Sequence, residues 1–322
     1  MIVPIGSLPG AASSMSADLS TFYTGVRSDL KLPDGQVWMW PFGKSLQVLF
    51  YNADMLKADG ITSTPATWTQ FAADLKTASK NGVTGITIDP GNATEGVTSG
   101  EEWLEELAAA NGTPVYGSGG APQFTSPAAV AAMQYLVNLK KEGALATGTN
   151  YPGETALGAK KGLAALSSSA GYTFELASVG GKFPVTTAVL PSGSSGSFDE
   201  MAGGNLVVFA SATTEQKAAA WKFLQYLAGP VEQAAWSVAT GYYPVTSQAL
   251  TEPSMAGYLK QNPWVSATIG GLNTAIVDPP YAWVTQCGID LSTALSAALS
   301  GTSASSALST AQSACTTAKS NA

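Results

Sequence analysis

The 322-residue chain is long enough for two domains with buried cores, and 45% of its residues are hydrophobic. Only 11% are charged, the net charge is −7, and histidine is absent. This composition argues against nucleic-acid binding, which needs a basic surface for phosphates, and it removes the commonest general base and metal ligand.

Short strands alternate with amphipathic helices along most of the chain. Apolar runs predict strands at residues 36–40, 46–51, 83–88, 163–166, 183–190 and 206–209. Helices are predicted at residues 18–28, after the caps Asn52, Thr67 and Ser126, at residues 101–111 and from residue 214. This alternation predicts an α/β fold with open sheets. No apolar stretch reaches the about twenty residues that a membrane span needs.

Residues 203–245 form the most informative stretch. The unbroken apolar run at residues 206–209 predicts a strand buried on both faces. Thr213 and Gln216 have capping-box spacing, which predicts that a helix begins directly after them. A Gly-Pro pair at residues 229–230 ends this helix and begins another.

The two cysteines lie in two helical patterns near the end of the chain. Cys287 and Cys315 are each 14 residues from Gly301, which is predicted to form the turn. An antiparallel helical hairpin places them opposite each other, so we predict a disulfide bond, which suits an extracytoplasmic protein. The alternative is two separate buried thiols. With no histidine and both cysteines assigned to the hairpin, no metal site is predicted.

Five segments have a specific joint pattern: VWMWPFGKSLQVLFYNADMLKADGI, PATWTQFAADLKTA, KGLAALSSSAGYTFELA, FPVTTAVLPSG and AAAWKFLQYLAGPVEQAAWSVATGYYPV. In this order and spacing they resemble family 1 extracellular solute-binding proteins of ABC importers. Maltose-binding and glycerol-3-phosphate-binding proteins are the best-known members of that family. The resemblance covers the chain from about Leu19 to about Leu308.

The resemblance implies a two-lobed periplasmic-binding-protein-like fold (type II), in which open mixed sheets are flanked by helices. Lobe I would comprise residues 1–50 plus 207–247. Lobe II would comprise residues 51–206 plus 248–322, including the C-terminal helical hairpin. The family's opening strand–helix units have no counterpart in the sequence, so we expect an incomplete first lobe and a monomer only when that lobe is complete.

The resemblance also implies a function and a location. The expected function is to capture a mono- or oligosaccharide in a cleft between the lobes and to deliver it to the membrane subunits of an ABC importer. No cofactor and no catalytic residue are expected. The signal segment is expected to be absent from this chain, and the expected location is extracytoplasmic, as a cell-surface lipoprotein or in the periplasm.

Two other functions are considered. One is a receptor for glycerol 3-phosphate or a phosphodiester, but residues 266–280 contain no arginine or lysine to pair with a phosphate. The other is a glycoside hydrolase that uses paired carboxylates such as Glu101 and Glu102. Adjacent residues on a helix point about 100° apart, so this pair does not flank a bond well.

The family's ligand loops map onto several short segments of this chain. The first segment contains aromatic residues, a glycine and a hydroxyl side chain, a combination that suits sugar binding. For Trp40, the alternative is a position in the hydrophobic core. Lys44 departs from the family's usual asparagine or threonine, and we expect it to contact solvent or an acidic group. Tyr172 falls where maltose-binding protein has a stacking tryptophan. The ligand-binding residues expected in these segments are Trp40, Gly43, Ser45, Ser169, Tyr172, Gly204, Asn205 and Tyr242.

Four more candidates come from two other segments. The first turn of the helix at residues 101–111 holds two carboxylates, where the helix dipole favours anions even without a ligand. The Pro-Pro-Tyr-Ala-Trp segment that begins at Pro279 corresponds to a region that closes over ligand in the family. The candidates in these segments are Glu101, Trp103, Tyr281 and Trp283.

Overall fold

The computed structural model describes residues 1–91 and 99–322. Their helices, in chain order, are α1 Ala11–Thr21, α2 Thr24–Asp29, α3 Ala53–Ala58, α4 Trp68–Ala78, α5 Ser99–Ala110, α6 Pro127–Lys141, α7 Pro152–Gly158, α8 Tyr172–Val179, α9 Thr214–Leu227, α10 Pro230–Thr240, α11 Pro253–Gln261, α12 Pro263–Thr268, α13 Val284–Leu299 and α14 Ala304–Ser320. Their strands are β1 Ile2–Val3, β2 Trp40–Asn52, β3 Thr84–Ile88, β4 Leu145–Thr147, β5 Gly162–Ser168, β6 Val185–Ala188, β7 Met201–Leu206 and β8 Val208–Phe209.

The chain divides into two compact units, each built from several chain segments. Unit 1 contains Met1–Leu46, Ser168–Tyr172 and Met201–Val277, and unit 2 contains Gln47–Ser167, Thr173–Glu200 and Asp278–Ala322. This division differs from the expected lobes at residues 47–50, which belong to unit 2, and at residues 168–172, 201–206 and 248–277, which belong to unit 1. Within 248–277, α11 packs beside α10, and α12 packs beside α11. The correspondence between units and lobes remains a proposal.

Unit 2 is organised around an open mixed sheet with the strand order β4-β3-β5-β2-β6. Strand β3 pairs in parallel with β4 and β5, whereas β6 runs antiparallel to β2. Side chains of β2 such as Leu49 and Tyr51 are buried because helices cover the sheet. Helices α5 and α6 pack against each other within the same core. The predicted α/β class is confirmed.

Strand β2 differs from the prediction. Two strands were expected, with Pro41 closing the first, but the structure has one continuous strand, Trp40–Asn52. The register of the β2–β7 pairing shifts between Pro41 and Gly43. This irregularity accommodates proline, which lacks a backbone N–H for the ladder, without ending the strand.

The run at residues 206–209 also differs from the prediction. It is divided between β7 and β8, and β8 pairs with the short strand β1. Phe209 is 62% exposed, so this run is not a strand buried on both faces. The helix that follows begins as predicted, since the Thr213 side chain accepts from the Gln216 N–H and both bonds of the capping box are present.

The helix caps that the sequence predicts at three other positions are also confirmed. The side chains of Asn52, Thr67 and Ser126 each accept a backbone N–H bond at a helix start. The single helix expected at residues 18–28 is instead two helices, α1 and α2, separated by Phe22 and Tyr23 in extended conformation. In the described part of the chain, no helix has the length and apolar character that crossing a membrane requires.

Helices α13 and α14 form the predicted C-terminal hairpin in unit 2. Gly301 lies between them with φ = 115°, a conformation that glycine adopts without steric cost. Cys287 and Cys315 are joined by a disulfide bond with a Cα–Cα distance of 4.7 Å. The predicted pairing is therefore present, and the alternative of two separate thiols is not.

Candidate functional site

In unit 1, β2 and β7 approach each other closely at a row of glycines. Gly43 lies opposite Gly204, and Lys44 lies opposite Gly203. A Cβ atom on Gly203 would lie 2.1 Å from the Gly43 carbonyl oxygen, and Gly203 has φ = 120°. Only glycine fits there without rearrangement. A Cβ on Gly204 would meet no atom within 4 Å, so the backbone at Gly204 borders open space.

A buried ion pair supports this strand pairing from below. Lys44 is 1% exposed, and its Nζ lies 2.5 Å from Oδ2 of Asp29. The same carboxylate oxygen accepts from Nδ2 of Asn205 at 2.7 Å. Of the two environments expected for Lys44, solvent or an acidic group, the structure shows the acidic group. Oδ1 of Asn205 is buried, and none of the described residues forms a hydrogen bond with it.

Two loops of unit 1 bring further candidates to the same strands. The hydroxyl of Ser169, which is fully buried, accepts from the Leu46 N–H at 3.3 Å. A Cβ on Gly43 would lie 3.4 Å from the Tyr242 ring. Tyr172 is half-buried, and its ring centroid lies 4.7 Å from that of Trp264. We use the name β2–β7 site for the candidates carried by these two strands and loops, namely Gly43, Ser45, Ser169, Tyr172, Gly204, Asn205 and Tyr242. Gly43, Ser45 and Ser169 are buried, and Asn205 lies on the Lys44 face of β7, opposite to Gly204.

Two expected stacking residues lie in the cores instead. Trp40 is 0% exposed and packs edge-to-face against Phe22 and Trp221 in unit 1. Trp103 is also 0% exposed and packs against Trp68 in unit 2. Neither ring exposes a face that a ligand could contact. The core position considered for Trp40 is therefore correct, and Trp103 lies in the core of unit 2.

The other aromatic pair of unit 2 is closer to solvent. Tyr281 is half-buried, and its ring stacks on Trp283 with centroids 5.2 Å apart and planes inclined by 16°. Trp283 is buried by Tyr281 and by the ammonium group of Lys319, which lies 5.2 Å from its ring centroid. Tyr281 is therefore the more exposed member of this pair.

Glu101 and Glu102 belong to a larger group of carboxyl groups in unit 2. We call six of its members the carboxyl cluster: Glu102, Glu105 and Glu106 of α5, together with Asp199, Glu200 and Asp278. Glu101, at the start of α5, lies against Gly288 of α13 and adds its charge to several of these groups. The members of the cluster differ in exposure. Glu105 and Glu106 are buried, Asp278 is exposed, and the half-buried members are Glu102, Asp199 and Glu200.

Several oxygen atoms at the cluster have no hydrogen-bond partner among the described residues. Oε1 of Glu106 accepts from the Glu200 N–H at 3.0 Å, but no described residue bonds to its Oε2. The amide nitrogen of Gln47 donates to Glu102, while Gln47 Oε1 has no bond within residues 1–91 and 99–322. Oδ1 of Asp199 and Oε2 of Glu200 are also buried without a partner in the described part of the chain.

The surroundings of the cluster disfavour ionisation. Burial, followed by the neighbouring negative charges, raises the pKa of Glu105 and Glu200 well above the usual range. Burial, followed by the charge of Asp199, does the same to the pKa of Glu106. Burial also raises the pKa of Asp278 to about 6.

Part of this cluster was visible in the sequence and part was not. Glu102, Glu105 and Glu106 are spaced three and four residues apart, a spacing that places them on one face of a helix. This helical spacing is visible in the sequence, although only Glu101 and Glu102 were considered as a pair there. Asp199 and Asp278 come from distant loops, and no local signal indicates that they join α5. In the described residues, no group of three possible ligands has the geometry to hold a metal ion.

Comparison with known proteins identifies the family. The model of the bacterial extracellular solute-binding protein family matches residues 2–263. A relative, the sn-glycerol-3-phosphate-binding periplasmic protein UgpB of Rhizobium meliloti (strain 1021), is 27% identical over 260 residues, which is 76% of this chain. The chain spans 58% of the length of that relative.

Two solved structures share the fold. The cyclic alpha-maltosyl-1,6-maltose binding protein from Arthrobacter globiformis superposes with a TM-score of 0.85 at 20% identity, over 100% of this chain and 81% of that one. UgpB from Mycobacterium tuberculosis in complex with glycerophosphocholine superposes with a TM-score of 0.81 at 20% identity, over 98% of this chain and 80% of that one. The family match covers most of the sequence, and the fold agrees with it, so this chain belongs to the bacterial extracellular solute-binding proteins.

Proposed function

We propose that this chain is the ligand-capturing component of an ABC importer and that its ligand is a carbohydrate. The family match supports the capture of a solute outside the cytoplasmic membrane. The similarity to a maltosyl-maltose binding protein supports a carbohydrate as that solute. The protein would work in the periplasm or as a cell-surface lipoprotein, as a monomer, and present its ligand to the membrane subunits of the importer.

The β2–β7 site carries this proposal. Sugars are recognised by flat apolar rings on their C–H faces and by polar groups on their hydroxyls. The site includes the half-buried rings of Tyr172 and Tyr242 and the open backbone at Gly204. On the Lys44 face of β7, it includes the Oδ1 of Asn205, which has no hydrogen-bond partner among the described residues. A sugar hydroxyl donating to that oxygen would satisfy a buried acceptor that the protein leaves open.

One observation favours a second candidate, a glycerol-3-phosphate receptor. UgpB of Rhizobium meliloti is named for that ligand and matches 76% of this chain. Against it, residues 266–280 supply no arginine or lysine to pair with a phosphate. The carbohydrate is therefore the ligand that the described residues support better.

The test is a thermal-shift screen followed by calorimetric titration of the purified chain. The panel contains maltose, maltotriose, trehalose, glycerol 3-phosphate and glycerophosphocholine. A ligand that binds only the folded state raises the melting temperature, so we expect a shift with at least one sugar and 1:1 binding without products. Binding of glycerol 3-phosphate alone would establish the second candidate. Release of shorter sugars would show a glycoside hydrolase instead.

A further inference from the structure

Trp236 of α10 is a large aromatic residue that remains in contact with solvent. Its side chain is 36% exposed, and its ring centroid lies 4.6 Å from that of Phe42, with the ring planes inclined by 44°. Its indole Nε1 has no hydrogen-bond partner among the described residues. Packing against Phe42 therefore leaves part of the indole ring and its N–H donor available to a ligand.

Hydrogen bonds of the neighbouring Gln233 fix where this indole lies. Gln233 is fully buried, and its Nε2 donates to the Phe42 carbonyl oxygen at 2.9 Å, at the register shift of β2. Its Oε1 accepts from the Val245 N–H at 2.8 Å. Trp236 follows Gln233 by three residues, so the two side chains lie on one side of α10. The helix therefore holds Trp236 against the irregular part of β2.

The indole and the ring of Tyr242 meet above Gly43. A Cβ atom on Gly43 would lie 2.9 Å from Nε1 of Trp236 and 3.4 Å from the Tyr242 ring. The absence of a side chain at Gly43 lets both groups approach the strand. Both groups also lie on the same face of β2, because a Cβ atom points to one face of a strand. Trp236 and Tyr242 are thus adjoining parts of one surface.

The same face of the strand pair is open at β7. Gly43 pairs with Gly204, and directly paired residues of neighbouring strands have their side chains on the same face. A Cβ atom on Gly204 would meet no atom within 4 Å. An indole N–H, a phenol ring and an uncovered stretch of backbone therefore border one open space. Aromatic rings suit the C–H groups of a sugar, and an N–H donor suits its hydroxyl oxygens.

We propose that Trp236 is a further ligand-binding residue of the β2–β7 site and that it contacts a sugar lying over Gly204. Its indole N–H donates to a hydroxyl oxygen of that sugar, and its ring packs against the C–H groups. This inference rests on the proposed function and adds a residue that none of the sequence motifs indicated. Tyr242 borders the same sugar on the side of Gly43.

Hydroxyl-radical footprinting with peptide mass spectrometry tests this contact on the full, unaltered chain. The probe is whichever of maltose, maltotriose and trehalose binds most tightly. Saturation with this sugar should lower the oxidation of Trp236 at least about threefold, because a bound sugar shields the indole from solvent. Trp38 is the internal control, since it is also half-buried and its Nε1 donates to Asp34, outside the site. Equal oxidation of Trp236 with and without bound sugar would overturn the inference.

Variants separate the ring of Trp236 from its N–H group. Trp236→Phe keeps an aromatic ring but loses the donor, and it should weaken binding of the same sugar about three- to tenfold. Trp236→Ala loses both and should weaken binding about tenfold or more. Trp38→Phe is the matched control and should bind like the wild type. Wild-type affinity in both Trp236 variants would contradict the proposal, and the footprint of the unaltered chain does not depend on how the variants fold.

A variant of Gly204 tests where the sugar lies. Gly204 does not have a positive φ, so the strand accepts a branched side chain there, and Gly204→Val should fold normally. The new side chain fills the open space and should weaken sugar binding about tenfold or more. Unchanged affinity would overturn this position. If a sugar binds but the footprint and the variants do not respond, the proposed function stands and only this inference fails, whereas no binding by any sugar would contradict both.

Discussion

Nζ of Lys44 and Oδ2 of Asp29 lie 2.5 Å apart beneath the β2–β7 site, and Lys44 is 1% exposed. A lysine so deeply buried requires an anionic partner, and Asp29 is the one the structure supplies. The same oxygen of Asp29 holds the Asn205 amide at 2.7 Å. The ion pair therefore also fixes a residue that we propose for ligand binding.

We expect the Lys44–Asp29 pair to show strong coupling in stability. Either Lys44→Met or Asp29→Asn leaves an uncompensated partner and should lower the free energy of unfolding by about 3 kcal/mol, the low end of the usual range because the Asp29 side chain keeps 22% exposure. The double variant should lose about 1–3 kcal/mol less than the sum of the single losses. Urea denaturation followed by tryptophan fluorescence measures all three. Additive losses would show that the two groups do not depend on each other.

The two glycines of β7 provide a matched pair of variants. In Gly203→Ala, the new Cβ would lie 2.1 Å from the Gly43 carbonyl oxygen at a φ of 120°, so we expect a loss of at least about 2–3 kcal/mol. In Gly204→Ala, the Cβ meets nothing within 4 Å, and stability should change by less than about 0.5 kcal/mol. Chemical denaturation of both variants tests this difference. Equal effects would contradict the close approach of the two strands.

The disulfide of the C-terminal hairpin should contribute strongly to stability. Its cysteines are 28 residues apart, and closing a loop of that length corresponds to roughly 3–4 kcal/mol in the chain-entropy model. Thiol titration of the unfolded, unreduced protein should detect no free thiol. The double variant Cys287→Ala/Cys315→Ala should melt at the same lowered temperature as the reduced protein. Detection of two thiols, or an unchanged melting temperature after reduction, would contradict the bond or its role.

Glu175 predicts a pH dependence of stability in unit 2. It is 2% exposed, and burial raises its pKa to about 7, while a bond from Ser167 lowers it and the charge of Glu154 raises it. Because the folded pKa lies above the unfolded value of about 4.5, the folded protein binds more protons between these two values, and its stability falls as pH rises from about 4.5 to about 7.

Glu175→Gln should therefore match the wild type at pH 5 and exceed it at pH 8 by about 2–3 kcal/mol. Thermal unfolding of both proteins at these two pH values gives the difference. The carboxyl cluster affects both proteins equally, so it cancels in this comparison. The exposed Glu142→Gln serves as the control for loss of a carboxyl group that is not buried. A difference for Glu175→Gln that is constant with pH would show that Glu175 titrates normally.

Local signals in the sequence were reliable because their physics is local. The capping box at Thr213 and Gln216 satisfies N–H groups a few residues away, so its spacing alone predicts where α9 begins. Cys287 and Cys315 were paired correctly because the helical repeat and one turn fix their positions. Pro41, by contrast, was expected to end a strand, and only the partner strand β7 shows how the register shift accommodates it.

Long-range packing explains what the sequence did not reveal. Tryptophan is a residue type that suits sugar binding. Whether Trp40 faces a ligand or the core, however, depends on the rings that pack against it from distant parts of the chain. The carboxyl cluster unites α5 with Asp199 and Asp278, which lie about 90 and 170 residues further along the chain. Such groupings follow from the topology, which local periodicity does not encode.

Tyr172 provides the most direct test of the β2–β7 site. Its ring is half-buried beside Trp264, with the ring centroids 4.7 Å apart. If it stacks on a sugar, Tyr172→Ala should weaken binding by about 1–3 kcal/mol, or roughly five- to a hundredfold. Loss of the aromatic pair should cost only about 0.5–1.5 kcal/mol of stability. Tyr172→Phe keeps the ring and should retain most of both. Calorimetric titration with the best sugar of the screen, alongside thermal unfolding, separates these effects, and unchanged affinity with a collapsed melting temperature would make Tyr172 a core residue.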